Sequence, residues 1–68
     1  MLTVIKHVEA ALHNKGIMTM SVINGEYRAS MHYKKSAKRI CGTPRYSVEL
    51  ALEDLDLCIK EDIDAAQS

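Results

Sequence analysis

Three histidines, two cysteines and a carboxylate-rich last third carry whatever acid-base, nucleophilic or metal chemistry this 68-residue chain could perform. A zinc site needs a cluster of such ligands at short, regular spacing. His7 and His13 lie six apart in a helical stretch and so point to different faces, and His32 stands alone in an extended one. Cys41 and Cys58 do not form a C-x-x-C pair and carry no local signature of an activated thiolate. Glu53, Asp54, Asp56 and Glu61 read as the solvated face of a helix, not as a general acid and base pair. All three glycines sit at element ends, so no phosphate-cradling loop is present. The expectation is a non-enzymatic protein with no metal and no cofactor.

The elements that position these residues follow from periodicity. Val48, Ala51, Leu52, Leu55, Cys58, Ile59 and Ile63 recur at steps of three and four, the apolar stripe of a helix from Ser47 to about Ile63. Ser47 suits the N-cap and Glu49 the positive end of the helix dipole; Thr43 with Pro44 is an alternative start. Glu61, Asp62 and Asp64 crowd the negative end, offset only by Lys60. Leu50 and Leu57 fall off the stripe and could form an exposed patch for a partner or a dimer mate.

Leu2 to Lys15 reads as a first helix, with Val4, Ile5, Val8, Ala11 and Leu12 on one side, Thr3 as N-cap and Gly16 as the left-handed residue that ends it. Asn24-Gly25 then joins the strands Ile17 to Ile23 and Glu26 to Tyr33, because a type I′ turn needs positive φ at both central residues. That loop sets Val22 against Tyr27, Met20 against Ala29 and Met18 against Met31 on a core face. Thr19, Ser21, Ile23, Glu26, Arg28, Ser30 and His32 form the wet face. A basic connection, Lys34 to Arg39, leads to a third strand, Lys38 to Gly42, with Ile40 inward. The whole chain, residues 1–68, is one α+β domain of order α-β-β-β-α: an antiparallel three-stranded meander with both helices on one face.

A chain this short buries only roughly 60% of its unfolded surface. With three Tyr, no Phe or Trp and four Met, its core is adaptable more than rigid. The formal charge is zero, yet eight Lys or Arg stand against two acids through Tyr46, and one Lys against seven acids from Ser47 onward. The cysteines read as buried reduced thiols, and no leader or membrane-length segment is present, which points to a cytoplasm.

The order of elements resembles the double-stranded-RNA-binding domain. Lys34, Lys35, Ala37 and Lys38 spell that family's K-K-x-A-K phosphate clamp, so the resemblance implies RNA-contacting lysines; here Ile40-Cys41-Gly42-Thr43-Pro44 follows, which reads as strand and turn. Tyr27-Arg28-Ala29 and Lys38-Arg39-Ile40 ahead of the last helix are similar to the three-strand-plus-helix DNA readers of the ethylene-response and integrase arm-binding type. Gly42, Thr43, Glu49, Ala51 and Leu52 resemble small ribonuclease-H-like antitoxins. Such compact proteins are common in phages, where many are inhibitors of host defence, anti-CRISPR proteins among them.

Two functions follow. The first is a phage-type inhibitor or adaptor that docks on a host protein or ribonucleoprotein complex in the host cytoplasm, with Glu53, Asp54, Asp56, Glu61 and Asp62 imitating phosphates. The alternative is a nucleic-acid-binding module using Arg28, His32, Lys34, Lys35, Lys38, Arg39 and Arg45. The balanced charge tips the sequence reading toward the inhibitor.

Overall fold

In the computed structural model, which describes residues 5–67, the chain runs α1 (Lys6–His13), β1 (Gly16–Ile23), β2 (Glu26–Tyr33), β3 (Lys38–Cys41) and α2 (Val48–Gln67). The strands form one antiparallel sheet in the order β1-β2-β3. Ile23 pairs with Glu26, Val22 with Tyr27, Met20 with Ala29 and Met18 with Met31, the register that the two-residue turn imposes. Asn24 (φ 51°) and Gly25 (φ 80°) take the left-handed backbone that the turn requires.

Both helices cover the same face. Val8 and Ala11 of α1, Ala29 and Met31 of β2, Ile40 of β3, and Ala51, Leu55 and Ile59 of α2 make the buried core. Ala29 and Ala51 are fully buried, small residues at the level where α2 lies over the central strand. The Leu50 amide donates to Ser47 Oγ at 3.2 Å, which fixes the start of α2 at the expected cap and rules out the Thr43 start.

Several boundaries differ from expectation. The first helix closes at His13 and begins at Lys6, while Leu2, Thr3 and Val4 lie outside the described residues. Lys15 (φ 66°), not Gly16, takes the left-handed position. Gly16 is needed for a different reason: a Cβ there would sit 2.7 Å from the Ala11 carbonyl oxygen and 2.8 Å from Met31 Sδ, so only glycine lets β1 enter the sheet beneath α1. The last helix continues to Gln67, one turn past Ile63, with Asp62 paired to Lys38 and Asp64 to Lys60. Cys41 is exposed, since inward Ile40 obliges its neighbour to face out; Cys58 is half-buried, and both thiols are free. Val22 is 67% exposed, as the helices stop short of that end of the core face.

Candidate functional site

The sheet face opposite the helices is uncovered. Period-two alternation puts Ile17, Thr19, Ser21 and Ile23 of β1, Glu26, Arg28, Ser30 and His32 of β2, and Arg39 and Cys41 of β3 on it. Register sets Ile17, His32 and Arg39 in one row across the three strands, and Thr19, Ser30 and Cys41 in the next. Lys34 and Lys35 sit on the exposed turn just past the His32–Arg39 row, a turn closed by Ala37 at φ 54°. The K-K-x-A-K run is thus a hairpin tip and not the first turn of a helix.

The seven basic residues named from sequence therefore divide. Arg28, His32, Lys34, Lys35 and Arg39 share the open face and its adjoining turn. Among the described residues none of these five is in an ion pair. Lys38 and Arg45 turn to the helix side: Lys38 Nζ lies 2.7 Å from Asp62 Oδ2, and Arg45 Nη2 lies 3.0 Å from Asp54 Oδ1.

The acidic set is reassigned more severely. Asp54, 12% exposed, accepts from the Thr43 amide at 2.6 Å, the Thr43 hydroxyl at 3.0 Å and the Arg45 guanidinium, and so ties the 42–45 segment to α2. That segment in turn extends the sheet, Tyr27 and Arg45 exchanging backbone hydrogen bonds at 2.6 and 2.8 Å. Asp56 Oδ1 accepts from the His7 and Val8 amides at 2.7 and 2.9 Å, and Asp56 Oδ2 lies 3.2 Å from His7 Nδ1. It is a cap for α1 supplied by α2. With Asp62 held by Lys38, only Glu53 and Glu61 of the five stand clear of these contacts. Sequence reasoning missed these roles because the partners lie 9 to 49 residues away; alternating with the buried stripe, Asp54 and Asp56 flank Leu55, and that placement was the available signal.

Burial alone would raise the Asp54 pKa, but the Thr43 amide, the Arg45 guanidinium and the Thr43 hydroxyl outweigh it and hold the carboxyl below its ordinary value. A depressed folded-state pKa contributes stability that is present above the unfolded value of about 3.9 and is lost as pH falls through the folded one. Asp54→Asn is accordingly expected to melt lower than wild type at pH 7 and to lose less further stability below pH 4. Thermal melts from pH 2 to 7 check this; parallel curves for the two proteins would refute it.

Burial, then the Asp54 and Glu61 carboxylates, push the Cys58 thiol up, which opposes a thiolate nucleophile there. Among the described residues no group of three His, Cys, Asp or Glu side chains comes together as a metal site, and no helix is long and apolar enough to cross a membrane. A concavity of about 240 Å³ lies on the helix side between Arg45, Leu50, Glu53, Asp54 and Leu57. Comparison with family models, curated proteins and solved structures finds no match to the chain.

Proposed function

We propose that this protein is a non-enzymatic module that binds the phosphate backbone of nucleic acid across its open sheet face. The observation that carries the reading is the division of charge. Lys38 and Arg45, facing the helices, are paired with carboxylates, whereas Arg28 and Arg39 on the open face and Lys34 and Lys35 on its adjoining turn are in no ion pair among the described residues. From Arg28 to Tyr33 the strand advances about 17 Å at about 3.4 Å per residue. With the turn added, the stripe runs along more than five base-pair steps of a duplex at about 3.4 Å each. Thr19, Ser21 and Ser30 add hydroxyls suited to phosphate and sugar oxygens. No tyrosine lies on this face: Tyr27 and Tyr33 pack toward the core and Tyr46 precedes α2. Bases are therefore not stacked, and binding is expected to be indifferent to sequence.

Four phosphate contacts give a slope of log K against log salt near roughly −3.6 for duplex and −2.8 for single strands. Fluorescence anisotropy with labelled oligonucleotides from 50 to 300 mM salt measures it, and Lys34→Ala or Lys35→Ala lowers the slope by roughly 0.9 on duplex. Absence of binding to duplex and single strands alike at 50 mM salt would end this reading.

A second reading, an inhibitor or adaptor docking on a host protein complex, is favoured by one feature. Leu50 and Leu57, 44% and 53% exposed, border the concavity beside Glu53. Loss of partner capture in Leu57→Asp with oligonucleotide binding unchanged would support it.

A further inference from the structure

Among the described residues, the outer edge of β1 is the longest strand edge without a neighbouring strand. It is an eight-residue strand with a neighbour on one side only, and it holds no charged residue and no proline. Lysines, prolines or a covering loop normally blunt such an edge. Its backbone direction follows from the rest of the sheet. Tyr27 exchanges hydrogen bonds with Arg45, and the Ala29 carbonyl accepts from the Gly42 amide, so both turn their backbone groups toward the β3 side. Their partners across the hairpin, Val22 and Met20, with Met18 opposite Met31, must then turn their own N–H and C=O groups to the open edge. Among the described residues no backbone bond outside the sheet reaches them.

We infer that this edge pairs with the same edge of a second copy of this chain, forming an antiparallel two-fold dimer with a continuous six-stranded sheet. The occupant is identified by self-complementarity. Centred on Met20, the pairing sets Met18 against Val22 and Met20 against Met20 on the helix side, and Ile17 against Ile23 and Thr19 against Ser21 on the open side. Apolar meets apolar and hydroxyl meets hydroxyl on both faces. Shifting the centre to Thr19 or Ser21 sets an isoleucine against a hydroxyl residue instead. The outward groups of Met18, Met20 and Val22 supply roughly six backbone hydrogen bonds. Ile17 (43%), Met18 (36%) and Val22 (67%) lose the exposure they have in the single chain. Charge agrees as well: the antiparallel pairing brings Lys15, just ahead of β1, to the hairpin-turn end of the other copy, where Glu26 begins β2. Among the described residues neither Lys15 nor Glu26 has an ion pair within its own chain. The two-fold axis is perpendicular to the sheet, so both open faces lie on one side. This inference does not depend on what that face binds.

Sedimentation equilibrium over a concentration series, with hydrogen exchange by NMR, tests it. Wild type is expected at twice the chain mass, with the Met18, Met20 and Val22 amides gaining protection as concentration rises. Val22→Lys, at a position already exposed in the single chain, weakens the dimer by at least about tenfold with an unchanged far-ultraviolet spectrum. Lys15→Glu or Glu26→Lys alone weakens it roughly five- to tenfold, and the double swap restores it. A wild type that stays at monomer mass up to about 1 mM overturns the proposal. So does a dimer indifferent to Val22→Lys, or one that the double charge swap fails to restore.

Discussion

Asp56→Ala is expected to lower the melting temperature by roughly 10–20 °C, through a loss of about 2–3 kcal/mol. The first four amides of a helix have no intrahelical acceptor, and Ile5, the residue at the N-cap of α1, makes no side-chain cap bond. Asp56 substitutes for it from another helix, taking the His7 and Val8 amides on one oxygen and approaching the His7 ring with the other. Its removal leaves two donors of a part-buried helix end without a partner and releases α1 from α2. A domain of this length has only about 3–10 kcal/mol in hand, at 0.05–0.15 kcal/mol per residue, so the variant is close to unfolding at 37 °C. Asp56→Asn keeps an acceptor and loses the charge, and should cost about half as much. His7→Ala keeps both amide bonds and should cost less than about 1 kcal/mol. Circular-dichroism melts rank the three. If Asp56→Ala melts within about 3 °C of wild type, α1 is held by packing alone and the cap is incidental.

This bond also marks where reading the sequence stops. What depends on near neighbours was legible: Asn24-Gly25 sets the hairpin register pair by pair, Ser47 sets the start of α2, and Ala51, Leu55 and Ile59 set its buried stripe. What depends on distant partners was not. Asp54 and Asp56 look like solvated helix residues until the chain brings Thr43 and His7 to them. The same folding turns Lys38 and Arg45 away from the basic group with which they are contiguous in sequence. Alternation tells which face a strand residue takes but not how far a helix reaches over it, so Val22 was placed on the core face correctly and yet is mostly exposed. The candidate site was legible as a composition, with its membership decided by tertiary pairing.

That membership yields the other large effect expected of this molecule. Arg28→Glu combined with Arg39→Glu should weaken oligonucleotide binding at least about 100-fold at 100 mM salt, since each change removes one phosphate contact and adds a repelling charge. Arg39 is exposed and Arg28 half-buried on a face that no helix covers, so melting should move by only a few degrees. Lys38→Ala and Arg45→Ala remove cations from the same stretch of sequence, but cations already neutralised by Asp62 and Asp54. They should change affinity by less than about threefold and stability by about 0–1 kcal/mol. A sequence-level view, in which positive charge is counted along the chain, predicts equal losses from all four positions. The fold predicts a sharp split, because a cation whose field is cancelled by a carboxylate within 3 Å releases no counterion when phosphate arrives. Binding isotherms of single alanine variants at the four positions decide between these views, and a loss in Lys38→Ala as deep as that in Arg39→Ala would move the interface to the hairpin tip and the helix side of the sheet.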